Sequence, residues 1–180
     1  MREKNKVLIA PVTGYSPHMG VLIDTIGCCR SKTMEWIRDL TIHQLDFLYD
    51  AKANSIGALL LHLCALEVAV QEYTFHGIPL DNPEWQRKWG LAMNLGDRAQ
   101  REIRGHPVEY YTEKMEQIRS QTHDQMRQYS DEWLWRESPW FNRTANNYWM
   151  WYHVYEDEIN HRGEISWLKS RIPETPSATE

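Results

Sequence analysis

The sequence is poor in cysteine and has no long apolar run, and each absence excludes a class of protein. The three cysteines are an odd number without a Cys-x-x-Cys pair, so a disulfide framework is not expected. No apolar run approaches the roughly 20 residues that span a bilayer. The apolar stretch at residues 7–12 is too short for a signal-peptide core. We therefore expect a cytoplasmic protein without a membrane segment.

The sequence also lacks basic runs and nucleotide-binding motifs. Its net charge is -5, with acidic and basic residues interspersed, so no nucleic-acid partner is expected. No P-loop, dinucleotide fingerprint or nucleophile elbow is found. The 180 residues suit a single domain. We place that domain at residues 1–172 and expect the polar, proline-rich residues 173–180 to form a disordered tail.

Helical periodicity runs through nearly the whole chain, and no alternating pattern predicts a sheet. A capping box at residues 41–44 predicts a short turn, and residues 84–93 predict a short helical piece within the long connection at 77–107. Such a connection implies that helices two and three need not be antiparallel neighbours. The sequence thus predicts an all-α four-helix bundle, with long helices over about residues 17–39, 54–75, 108–129 and 145–171.

Tryptophan is abundant, with nine residues, five of them between positions 133 and 151. Large aromatic side chains often serve as core filler, and this is the simpler interpretation. The alternative is an aromatic wall around a substrate pocket.

Ionisable residues fall on the predicted buried faces of two helices. On the last helix, His161 lies at the centre of the apolar stripe and Asp157 lies about 40° to one side. On the second helix, His62 shares its face with Ser55 and several alanines, which leave room in front of the imidazole. Buried ionisable groups are unfavourable unless a partner satisfies them.

A single metal ion could be that partner, because a His and a carboxylate at i and i+4 can converge with a His from a facing helix. Two His and one carboxylate suit Zn(II), Fe(II), Mn(II) or Ni(II), and three protein ligands leave coordination positions open. Hydrogen-bonded core histidines or a buried Asp–His ion pair are the alternatives. His153 also pairs with Asp157 at i, i+4, but it lies about 12 Å along the axis from His161 and cannot share its ion.

Two segments resemble the signatures of DinB-like proteins. The run HVYEDEINHRGEI, from His153 to Ile165, resembles the last-helix signature, which usually reads His, three residues, then His-Glu-x-His-His-Arg-Gly-Gln-Ile. The segment NSIGALLLHL, which ends just after His62, is similar to the signature that carries the first metal-binding His. The two motifs occur in the family's order, about a hundred residues apart, and the resemblance spans all four helices.

The resemblance implies an up-down-down-up bundle and a three-ligand metal site at His62, Asp157 and His161. Three positions depart from the family pattern. Asp157 stands where a ligand His is usual, Asn160 where the family has a non-ligand His, and Glu164 where it has Gln. Asp157 can still bind a metal, but a carboxylate differs from an imidazole in charge and softness. The metal expected at the site therefore differs too.

Family members with known activity include thiol-dependent transferases, so the resemblance implies a metal-dependent S-transferase, with metal-assisted hydrolysis as the neighbouring reaction. Its partner would be a small-molecule substrate or a thiol. Glu158 and His153 are candidates to relay protons, although an exposed, solvated Glu158 is the simpler interpretation. The alternative function is a non-catalytic, stress-related binding protein. Family habit favours a homodimer in either case.

Overall fold

The computed structural model describes residues 8–173, and this part of the chain is mainly α-helical. The predicted tail at 173–180 lies, apart from its first residue, outside the described residues. The elements are α1 (Pro17–Ile37), α2 (Ile42–Leu45), α3 (Ile56–His76), α4 (Pro83–Asn94), α5 (Gly96–Glu102), α6 (Val108–Met126), α7 (Asp131–Leu134), β1 (Glu137–Trp140), β2 (Arg143–Asn146) and α8 (Asn147–Lys169).

Local sequence explains where the central helix, α3, begins and ends. The Ser55 side chain accepts a hydrogen bond from the amide of Ala58 and so caps the N-terminus. At the other end Gly77 adopts a left-handed conformation with φ of 68°, and its amide bonds to the carbonyl of Tyr73. The capping box predicted at Thr41 is present at the start of α2.

Helix α3 is apolar on nearly all sides and is surrounded by other elements. It packs against α4, α6 and α8, while α1 packs against α8 and α6. By length and composition, α3 is the one helix among residues 8–173 that could cross a membrane, but 72% of its most apolar window is buried inside the fold. That burial is typical of a core helix.

Side-chain contacts fix the relative directions of the long helices. Arg162 bonds to the carbonyl of Cys29, and Lys169 to that of Trp36, so α1 and α8 run in the same direction. Helices α3 and α6 are also parallel, because Gly57 lies against Tyr111 and Glu67 bonds to Arg119 further along both helices.

Helices α3 and α8 are antiparallel, because His62 contacts His161 whereas Thr74, later on α3, contacts Trp151, earlier on α8.

The prediction of no sheet is wrong at one place, since β1 and β2 form an antiparallel hairpin just before α8. Each strand has only four residues, too few for a clear alternating pattern, and Pro139 lies within the first. The turn places Phe141 at a φ of 53°, which is uncommon for a bulky residue.

The tryptophans divide between core and surface. Trp133, Trp140 and Trp151 are buried, and Phe75 stacks against Trp133 with ring centroids 5.3 Å apart. Trp135 and Trp149 are exposed. These placements support the interpretation of the buried aromatics as core filler.

Candidate metal centre

The three residues singled out by the helical pattern converge between α3 and α8. The Oδ2 atom of Asp157 lies 3.3 Å from Nε2 of His62 and 3.5 Å from Nε2 of His161. One potential ligand atom from each residue lies within 4.8 Å of the other two. The side chains are mostly buried, with exposed fractions of 13% for His62, 18% for Asp157 and 17% for His161.

The second nitrogen of each imidazole is engaged outside this cluster. Nδ1 of His62 lies 3.1 Å from the backbone carbonyl of Ala92 on α4. Nδ1 of His161 lies 2.9 Å from a carboxylate oxygen of Glu164, one turn further along α8. Because both partners can only accept, each Nδ1 must carry the hydrogen, which leaves a lone pair on each Nε2 of a neutral ring.

The facing atoms are therefore three electron-pair donors. Oδ2 of Asp157 is buried and has no partner with hydrogen-bond geometry among residues 8–173, although both imidazoles lie within ion-pair distance. Such an arrangement requires a shared proton or a cation. Histidines held at Nδ1 by a carbonyl or a carboxylate are the usual arrangement around a protein-bound metal.

The electrostatics of the cluster also favour positive charge. Burial would raise the pKa of Asp157, but the neighbouring His62 and His161 outweigh it and lower that pKa. Burial lowers the pKa of His161, yet the carboxylates of Glu164 and Asp157 outweigh it and raise that pKa. Asp157 therefore stays ionised, and its charge favours either a protonated His161 or a metal cation beside it.

The environment of Glu158 differs from the one predicted from the sequence. The expectation of an exposed, solvated side chain is wrong, because Glu158 is 1% exposed and its Oε1 accepts a 2.8 Å hydrogen bond from Nε of Arg30. Its Oε2 lies 3.7 Å from Arg119 and has no hydrogen-bond partner in the part of the chain that the structure describes. The carboxylate of Glu158 is therefore held by two buried arginines, Arg30 and Arg119.

His153 remains a flanking residue, as its angle on the helix indicated. Its Nδ1 lies 3.3 Å from Glu156, and its ring stacks on Trp149 with centroids 5.6 Å apart. It is not among the three residues that converge.

A buried charge network on α1, α3, α6 and α8 was missed by the sequence analysis. Glu67 is fully buried and accepts hydrogen bonds from Arg119, Arg30 and the hydroxyl of Thr122. Burial would raise the pKa of Glu67, but the two guanidinium groups and the hydroxyl lower it to about 2. The available signal was a glutamate at position 67 flanked on both sides by the apolar residues of α3.

No protein-family model matches the chain, and no curated protein matches it significantly. Two solved structures are similar in fold. A conserved protein from Enterococcus faecalis has 14% sequence identity and a TM-score of 0.62, and the match covers 83% of this chain and 93% of that one. An uncharacterised protein from Escherichia coli UTI89 has 16% identity and a TM-score of 0.59, with 87% and 96% covered. At these identities the likeness concerns the fold alone.

Proposed function

We propose that His62, Asp157 and His161 bind one divalent metal ion, and that the protein is a metal-dependent enzyme of the DinB-like kind. The observation that carries the proposal is the convergence of two imidazole nitrogens on one carboxylate oxygen that has no hydrogen-bond partner among residues 8–173. Both rings are also held at Nδ1. A bound cation would satisfy all three donors at once.

The donor set suits Zn(II), Ni(II), Fe(II) or Mn(II). An ion with three protein ligands can take a thiol or water as a further ligand and lower its pKa. The proposed reaction is therefore thiol transfer to an electrophile or, as the neighbouring possibility, hydrolysis. The partly exposed side chains of the triad are compatible with access by a small substrate.

Among the proposed proton relays, His153 is the better placed. It is half-buried, precedes Asp157 by one helical turn and is paired with Glu156, so it can exchange protons with solvent. The buried ion pairs of Glu158 favour a structural role for that residue.

The proposed architecture is an up-down-down-up bundle of α1, α3, α6 and α8. It is supported by the shared direction of α1 with α8 and of α3 with α6, and by the opposed direction of α3 and α8. Cys29 and Cys64 are present as thiols, which agrees with a reducing cytoplasm, where we propose that the protein resides.

We also propose a homodimer, because aromatic side chains are exposed near the C-terminal ends of α1 and α8. Trp36, Tyr49 and Trp167 are 39%, 50% and 42% exposed, and Tyr49 and Trp167 contact each other. Light scattering coupled to size-exclusion chromatography would give twice the monomer mass. A monomer at every accessible concentration would contradict this part of the proposal.

Metal analysis tests the site directly. Purified protein, dialysed against each candidate ion and then against buffer, should retain one ion per chain, and His62→Ala and His161→Ala should each lose it. His43→Ala is the matched control, because His43 is exposed on α2. If the wild-type protein takes up none of the ions, the cluster is a proton-sharing Asp–His group and the metal proposal is wrong.

Activity assays on the metal-loaded protein are the second test of the proposed function. The loaded protein should catalyse transfer of a small thiol to monochlorobimane or hydrolysis of an activated ester, and His161→Ala should abolish the catalysed rate. Stoichiometric metal without activity over a broad panel of thiols and esters would favour the non-catalytic binding protein instead.

A further inference from the structure

Two adjoining cavities border α4. The larger, of about 520 Å³, lies between α3, α4 and α6. The smaller, of about 260 Å³, extends toward residues 102–110. Both are lined by Lys88, Trp89 and Lys114, and neither is lined by a member of the triad. Together they form a groove, which we call the α4 groove.

The two lysines of the α4 groove have no carboxylate partner within the part of the chain that the structure describes. Lys88 extends from α4 and Lys114 from α6, and each ammonium lies near an aromatic ring instead. The Nζ atom of Lys114 is 4.7 Å from the ring centroid of Tyr110, and that of Lys88 is 5.7 Å from Trp89. These contacts compensate a cation only weakly. Two positive charges on facing helices are therefore available to a ligand.

A buried donor at the groove points to the same kind of ligand. Trp85 lines the larger cavity and is only 6% exposed, yet its indole N–H has no acceptor among residues 8–173. Buried indole N–H groups normally have a partner. A ligand oxygen in the cavity would supply one.

The other residues that line the α4 groove indicate which kind of ligand it can bind. Trp89 and Tyr110 present flat apolar surfaces, and His106 stacks on Tyr110 with centroids 3.9 Å apart. Glu72 and Glu84 border the larger cavity, and Glu102, which is paired with Arg98, borders the smaller one, so these carboxylates would repel a polyanion. The groove suits a molecule with a single acidic group and a planar body.

We propose that the α4 groove is a second ligand site, which binds a small aromatic or planar organic anion carrying one carboxylate or phosphate group. Lys88 and Lys114 hold the acidic group, Trp85 donates a hydrogen bond to it, and the rings of Trp89 and Tyr110 contact the planar body. The groove shares no lining residue with the triad, although the carbonyl of Ala92, which lines the smaller cavity, lies 3.1 Å from Nδ1 of His62.

Phenyl phosphate is a suitable probe, and the indole N–H signal of Trp85 is a local reporter. Of the nine indole signals in a ¹H–¹⁵N spectrum, the one lost in Trp85→Phe identifies this residue. Phenyl phosphate should shift that signal saturably below about 10 mM, whereas neutral benzyl alcohol should not. The double variant Lys88→Gln/Lys114→Gln should raise the Kd about tenfold or more.

The matched control is Lys32→Gln/Lys52→Gln, which removes the same charge at exposed positions on α1 and in the connection between α2 and α3. It should bind as the wild type does, and dialysis against EDTA should leave the shift unchanged. Three results would overturn the proposal: a Trp85 signal that does not move, equal responses in the two double variants, or loss of the response after EDTA.

Discussion

Arg30 donates a 2.8 Å hydrogen bond from Nε to Oε1 of Glu158, the residue that follows Asp157 on α8. Both side chains of this pair are buried. Consecutive helical residues project about 100° apart, so the rotation that turns Glu158 toward α1 also sets the direction of Asp157. The same rotation of α8 therefore places Glu158 in the buried charge network and Asp157 in the proposed metal site.

Glu67→Gln should destabilise the fold strongly. Glu67 neutralises Arg30 and Arg119, and an amide would leave their buried charges partly uncompensated. Removing one partner from a buried ion pair typically costs about 3–5 kcal/mol. Urea unfolding should show a loss of this size, against less than about 1 kcal/mol for Glu72→Gln, a half-buried glutamate on the same helix. Similar losses in the two variants would contradict the importance of the network.

Acid should remove the contribution of Glu67 within a defined pH window. Its pKa is about 2 in the folded protein, against an ordinary value of 4.5, so the folded state binds this proton less readily than the unfolded state. The stabilisation is therefore complete above pH 4.5 and is lost as the pH falls toward 2. Urea unfolding at a series of pH values should show a decline over this range that is steeper in the wild type than in Glu67→Gln. Parallel curves would show that Glu67 does not contribute.

The long helices could be predicted from sequence because their apolar stripes are regular and their ends carry local signals. Helix α3 begins two residues after the start of the predicted 54–75 segment and ends one residue beyond it. Helix α4 exceeds the predicted 84–93 piece by one residue at each end. The short helix α5 was missed because its seven residues contain too few apolar positions to show a period. The hairpin was missed for the same reason.

The candidate site was predictable only in part. The helical wheel brought His62, Asp157 and His161 to facing buried stripes, and the structure places them together. The contact of His62 with the carbonyl of Ala92 could not be foreseen, because any residue supplies a carbonyl and only the path of α4 brings this one near. Glu158 was misjudged because its burial depends on arginines from two other helices.

Gly57→Ala should destabilise the contact between α3 and α6. A Cβ at position 57 would lie only 2.8 Å from Cζ of Tyr111 and closer still to its hydroxyl. Tyr111 is fully buried and cannot move without disturbing the core, so we expect a loss of about 1–3 kcal/mol in thermal or urea unfolding. Gly27→Ala is the control, because nothing lies within 4 Å of a Cβ there and α1 should be unaffected or stabilised.

A partial rescue distinguishes steric overlap from a general loss of packing. The Tyr111 hydroxyl has no hydrogen-bond partner within residues 8–173, so Tyr111→Phe alone should cost little. Combined with Gly57→Ala it should recover part of the lost stability, since the hydroxyl is the nearest atom. Strictly additive effects would contradict the overlap.

Glu164 should tune metal affinity through His161. Its carboxylate accepts the Nδ1–H of His161 at 2.9 Å and so holds the Nε2 lone pair toward Asp157. Glu164→Ala removes this acceptor and should raise the Kd for Zn(II) about tenfold or more, whereas Glu164→Gln keeps an amide oxygen and should change it much less. Competition with a chromophoric chelator measures both values.

Glu156→Ala is the matched control for Glu164→Ala, because Glu156 follows His153 on α8 at the same three-residue spacing but outside the triad. It should leave the Kd unchanged. In metal-free protein, ¹⁵N shifts of the His161 ring should also move from the Nδ1–H form toward the Nε2–H form in Glu164→Ala and not in Glu156→Ala. If the tautomer changes while the affinity does not, then His161 is not a ligand. If neither changes, Glu164 does not orient the ring.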